Sequence, residues 1–117
     1  MSPSLLDDAS FHLPLTVTTV GTDPDGVSVS GRDWRYRINT EWRIGPAGGW
    51  TLESLVGRQV VALAFEAHGD YADLLLTFDD GRTLTAVSDF PYGEWIFSIE
   101  ANGTPVFDLS GPPGETP

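Results

Sequence analysis

With two histidines, six arginines, no lysine and no cysteine, this 117-residue chain has few side chains for covalent chemistry. The absence of Cys removes disulfides, thiol nucleophiles and thiolate metal sites. His12 and His68 stand alone, with no second His two or four residues away, so both read as loop or surface residues rather than metal ligands. Asp23 and Asp25 before Gly26 faintly match the opening of a calcium loop. That loop must close with a Glu at its twelfth position, and here the twelfth position is Trp34, so the segment reads as a turn. Asp7-Asp8 and Asp79-Asp80 are adjacent carboxylates, but the chain has 17 acids, which makes adjacency commonplace and solvated surface the simpler reading. There is no Gly-x-Ser-x-Gly elbow, and the glycine-rich 45–49 lacks the Lys and following helix of a phosphate loop. No catalytic residue, metal or cofactor is assigned, and the chain reads as non-catalytic.

Recognition chemistry is better represented. Arg32, Arg35, Arg37 and Arg43 fall within twelve residues and alternate with aromatics in Trp34-Arg35-Tyr36-Arg37 and Trp42-Arg43. Trp, Tyr and Arg are the residues that most often anchor protein interfaces. Trp34, Arg35, Tyr36, Arg37, Trp42 and Arg43 are therefore the expected partner-binding surface, for another protein or for a second copy of the chain. At alternating strand positions the same aromatics also suit a core. The formal net charge of −11 argues against nucleic acid and against anionic membrane as partners, and it would steer a basic protein in.

The elements that must position these residues are strands. Thr and Val dominate 13–20. Residues 27–30 alternate strictly, and 34–38 place Trp34, Tyr36 and Ile38 on one face and Arg35 and Arg37 on the other. The runs 58–65 and 74–78 are apolar on both faces and predict central strands. Residues 94–100 put Trp95, Phe97 and Ile99 on one face. Asp80-Gly81 and Asn102-Gly103 both predict type I′ hairpin turns. Residues 50–56 fit a short strand or one helical turn, and 4–9 fit a helical turn. Arg35 and Arg37 suit an edge or outer face. The expected fold is all-β: an antiparallel meander of eight or nine strands, forming a sandwich or partly open barrel. One domain spans 1–117, with a loose tail at 110–117. No apolar run is long enough for a membrane helix, and 1–8 lack the basic start of a secretory leader, so the expected location is the cytoplasm.

The chain also echoes itself. Gly31-Arg32 and Gly81-Arg82 each separate two strand-like runs, and each half then reaches a Glu-Trp pair, Glu41-Trp42 or Glu94-Trp95. This predicts two similar halves, 13–45 and 55–109, joined at 45–49. In a rough alignment Arg35, Arg37 and Arg43 of the first half face Thr85, Val87 and Ile96 of the second.

The pattern Leu55-Val56-Gly57-Arg58-x-Val60, then Asp73-Leu74-x-Leu76-x-Phe78-x-Asp80-Gly81-x-x-Leu84, Tyr92-x-x-Trp95 and Asn102-Gly103, resembles a group of small uncharacterised bacterial β-rich proteins. It spans about residues 34–104. The group looks like the compact proteins found among immunity partners of bacterial toxins. The resemblance implies a β-fold and binding rather than catalysis, and it carries over no catalytic residue. The leading expectation is thus an immunity-like module that neutralises a basic toxin by electrostatic and aromatic contacts. Two alternatives stand beside it: a β-barrel or sandwich holding a small ligand, with simple acid–base chemistry, and a homo-oligomer joined through the Arg/Trp strand.

Overall fold

In the computed structural model, which describes residues 12–46, 51–68, 71–89 and 93–111, the chain is an antiparallel β-sandwich. The described residues form β1 (Leu15–Thr16), β2 (Thr19–Asp23), β3 (Gly26–Gly31), β4 (Trp34–Ile38), β5 (Glu41–Gly45), β6 (Gln59–His68), β7 (Tyr71–Phe78), β8 (Thr83–Val87), β9 (Trp95–Ala101) and β10 (Thr104–Gly111). A single 3₁₀ turn, Leu52–Leu55, precedes β6 and buries both of its leucines. No helix among the described residues is long and apolar enough to cross a membrane.

One sheet has the order β1-β6-β7-β8-β5 and the other β10-β9-β4-β3-β2. Each contains a three-strand meander, β6-β7-β8 or β2-β3-β4. The third strand of each meander is then flanked by a strand from the other half, β5 beside β8 and β9 beside β4. Strand for strand, β6-β7-β8-β5 matches β2-β3-β4-β9. After each Gly-Arg hairpin the chain crosses to the opposite sheet, and the Glu-Trp pair opens, or immediately precedes, the crossing strand. The two halves therefore interleave: each sheet takes two strands from the other half, β1 and β5 in one and β9 and β10 in the other. The register also corrects the rough alignment. Trp42 pairs with Ala86 as Trp95 pairs with Ile38, so Arg35 and Arg37 correspond to Thr83 and Thr85. The slip is two residues, which leaves the inward and outward faces unchanged.

The core lies between the sheets. Val27, Val29, Trp34, Tyr36, Ile38, Trp95, Phe97 and Ile99 face it from one side, and Ile44, Val60, Leu74, Leu76, Phe78, Leu84 and Ala86 from the other. Its centre is aromatic: Tyr36 stands edge-on to Trp95 and Phe97, with ring centroids 5.8 and 6.0 Å apart. Edge-to-face pairs of this kind add about 0.5–1.5 kcal/mol to the burial itself.

Several local expectations change. The run 13–20 is two strands, because Val17 and Thr18 carry the chain from one sheet to the other. The run 58–65 becomes β6, which is paired on one side by β7 but on the other only at Gln59 and Val60, by β1. A register shift at Val60/Ala62 leaves Val61 exposed, and Ala62 and Ala64 are exposed as well, so β6 is not covered on both faces. β4 is a central strand, so Arg35 and Arg37 lie on an outer face and not at an edge. Asn102 and Gly103 both have positive φ, 54° and 78°, as a type I′ turn requires. Of the other pair only Gly81 does (φ 89°). The Gly81 N–H donates to Phe78 O, and Phe78 N–H in turn donates to Arg82 O, so this hairpin has a wider loop. The helical turn expected at 4–9, Trp50 and most of the tail lie outside the described residues.

Candidate functional site

The period of two along β4 divides the expected contact residues. Trp34 and Tyr36 point inward and are buried, so neither belongs to an exposed surface. Trp34 Nε1 donates to Thr16 O (2.9 Å), tying β4 to the first strand. The Tyr36 hydroxyl donates to Leu74 O (2.7 Å) and accepts from the Ala86 N–H (3.4 Å). The β7–β8 ladder runs only from Thr77/Thr83 to Leu75/Thr85, so the phenol occupies the next rung between those strands. Burial, followed by the nearby Asp73 charge, pushes the Tyr36 hydroxyl far above the ordinary phenol range despite the opposing Ala86 amide, so it works as a neutral hydrogen-bonding group.

Asp73 sits at the same junction and is fully buried. Its carboxylate accepts from Ser88 N–H (3.0 Å), from Ser88 Oγ and from Trp95 Nε1 (2.9 Å). Asp, Ser and Tyr close together resemble catalytic furniture, but here every donor is committed and the group is sealed from solvent. The cluster joins β7, the end of β8 and the start of β9, holding the crossing strand in place. The sequence pattern contains Asp73 and Trp95 but assigns Asp73 no role, since one acid among 17 does not announce burial.

The arginines divide by what the neighbouring strands offer. Arg37 grips Asp23 bidentately, Nη1 to Oδ2 at 2.6 Å and Nη2 to Oδ1 at 2.8 Å, while its Nε donates to Asn39 Oδ1. Arg37 and then the Asp25 N–H hold the Asp23 carboxyl down at about 2, and Asp23 keeps the guanidinium charged. Asp23 also accepts from the amides of Asp25 and Gly26, which is the turn chemistry of 23–26 in place of a calcium loop. Arg43 faces Glu66 at 3.7 Å, and Arg58 faces Asp79 at 3.8 Å. Arg82 is nearly buried; it donates to Asp80 (2.7 Å), to Ser54 Oγ and to Ser54 O (3.0 Å), clamping the 3₁₀ turn to the β7–β8 hairpin. Burial raises the Asp80 carboxyl, but the Arg82 amide and guanidinium outweigh it and leave it lowered.

Among the expected contact residues, Trp42 is the aromatic that stays partly exposed. It packs on the core from β5 and lines a cavity of about 470 Å³ with Asp23, Pro24, Asp25, Thr40 and Glu41 among its walls. This is the end of the sandwich where both crossings pass: Asn39 N–H donates to Glu94 O, and Thr40 Oγ1 to Val87 O. Asp23, Asp25 and Glu41 line the cavity, and Glu94, whose carboxylate accepts from the Asp89 N–H, lies at the crossing. Of these, only Asp23 forms an ion pair with an Arg among the described residues, though Arg37 also feels the Asp25 charge. Sequence reading singled out Glu41-Trp42 and the 23–26 turn separately, and the fold brings them together. No three His, Asp or Glu side chains among the described residues converge as a metal site.

Fold and surface together define a small antiparallel β-sandwich with a sealed, internally satisfied polar core and an acidic, tryptophan-bearing end. No family model, no curated protein and no solved structure matches the chain.

Proposed function

We propose that the protein is a non-catalytic cytoplasmic binding module for a basic protein, in the manner of an immunity protein, and that it engages its partner at the acidic end around Trp42. One observation carries this reading: a half-buried Trp in an open concavity flanked by the carboxylates of Asp25 and Glu41. An indole face beside carboxylates suits a Lys or Arg side chain, which gains both a cation–π contact and charge pairing. The formal charge of −11 adds long-range attraction.

The test is capture of binding proteins by wild type and by an Asp25→Asn/Glu41→Gln double variant across a salt series. Both substitutions are at exposed positions, so the fold persists, as circular dichroism will check. A basic partner held at low salt, released as salt shortens the screening length, and lost with the double variant is the expected result. Capture that ignores both salt and the double variant refutes the electrostatic mechanism.

A further inference from the structure

The outer face of the β2-β3-β4-β9-β10 sheet carries a second concavity, of about 310 Å³, at the opposite end of β4 from the acidic site. Arg35 is one of its lining residues. The register puts Ser30 of β3 directly beside Arg35 on one side and Ser98 of β9 directly beside it on the other. Directly opposed residues on one face are about 4.5–5.5 Å apart at Cβ. Two serine hydroxyls therefore flank the root of the Arg35 side chain, and Arg32, from the β3–β4 turn, lines the same concavity.

The distribution of ion pairs singles this place out. Arg37, Arg43, Arg58 and Arg82 each have a carboxylate partner. Among the described residues the two arginines without an ion pair are Arg32 and Arg35, and they share one concavity in a chain with 17 acids. Glu100 lines the same wall but forms no ion pair with either. Its charge leaves the lining residues with one net positive charge, and Asp108 of β10 stands beside Ser98 at the rim, so the place suits a single carboxylate and disfavours a polyanion.

We infer that this concavity is a carboxylate-binding site, with Arg35 as the planar bidentate partner, Ser30 and Ser98 as hydroxyl donors to the same oxygens, and Arg32 as the second cation. The carboxylate belongs to a small organic acid or to the C-terminus of a peptide. Guanidinium and carboxylate match as two parallel charge-assisted hydrogen bonds, which an ammonium cannot reproduce. The site is independent of the acidic end and stands or falls separately from it.

The experiment is an amide and arginine-Nε NMR titration of the intact protein with acetate, with trialanine and with C-terminally amidated trialanine. Saturable shifts centred on Ser30, Ser98 and Arg35 are expected with acetate or trialanine and not with the amide. Arg35→Gln is expected to weaken binding by about tenfold or more, the scale of a charge-assisted pair. Arg35 is exposed, so the spectrum elsewhere should keep its folded dispersion. Tighter binding of trialanine than of acetate identifies a peptide terminus; equal binding identifies a small acid. Shifts that grow linearly without saturation, or that persist unchanged in Arg35→Gln, overturn the assignment.

Discussion

Tyr36→Phe removes one oxygen from the centre of the sandwich and nothing else. The ring keeps its edge-on contacts with Trp95 and Phe97, so the packing term is preserved. What is lost is the rung at which the hydroxyl joins Leu74 O at 2.7 Å and Ala86 N–H at 3.4 Å. Leaving a buried backbone group unpaired costs about 1–3 kcal/mol. The short bond to Leu74 dominates and the long one to Ala86 adds little, so the expected loss is about 2–3 kcal/mol. For a chain of this size that corresponds to a fall in Tm of roughly 6–15 °C. Urea unfolding followed by tryptophan fluorescence and far-UV circular dichroism measures it, with an unchanged m-value showing that the native and unfolded states expose the same surfaces. A loss below about 0.5 kcal/mol, the size expected of an exposed substitution, would falsify the placement of this hydroxyl between β7 and β8. The same variant should bind any partner of the acidic end with wild-type affinity, because Tyr36 is buried and touches no surface.

Two further outcomes follow from the geometry. The Asp23 carboxyl should titrate near pH 2, and Arg37→Gln should return it toward its ordinary 3.8, as carboxyl NMR shifts would record. Because its folded value is depressed, the ion pair contributes stability above pH 3.8 and loses it as pH falls through 3.8 toward 2; the effect should be small and salt-sensitive at this exposed site. Gly26→Ala would set a Cβ 1.9 Å from Ile38 O, a backbone atom that no rotamer change can move, so β3 must part from β4. A loss of about 2 kcal/mol or more is expected in urea unfolding. Gly21→Ala, whose nearest neighbour is the movable Ser28 Oγ at 3.2 Å, serves as the mild comparison, and equal losses for the two would contradict the contact.

Much of the fold was legible because strands write their faces into the sequence at a period of two. The WRYRI segment declares an apolar and a cationic side, and the structure buries one and exposes the other. The hairpin punctuation was legible at Asn102-Gly103, where both residues must take positive φ. Asp80-Gly81 misled because a Gly after an Asp serves several turn types, and loop length decides among them. Burial of β6 was over-read for a related reason: an apolar run looks the same whether or not a neighbour covers it.

The candidate sites were legible only in pieces. The sequence could list Arg35, Arg37 and Arg43 but not say which would be neutralised. Asp23 meets Arg37 across the β2-β3-β4 meander, fourteen residues apart, and Glu66 meets Arg43 from a strand of the other half. Likewise Trp42 gains Asp25 as a neighbour, and Arg35 gains Ser98, only because β4 and β5 lie in different sheets and β9 crosses to lie beside β4.

The Gly-Arg and Glu-Trp echo, the alternation and the turns belong to the sequence alone, since they arise from local backbone preference and from the demand that one face of each strand leave water. The exchange of β5 and β9 between sheets, the burial of Asp73 under Trp95, and the choice of which arginines stay unpaired belong to the tertiary structure. They depend on which distant strands become neighbours. Cross-strand hydrogen bonds and charge pairs act over a few ångströms in space, whatever the separation along the chain.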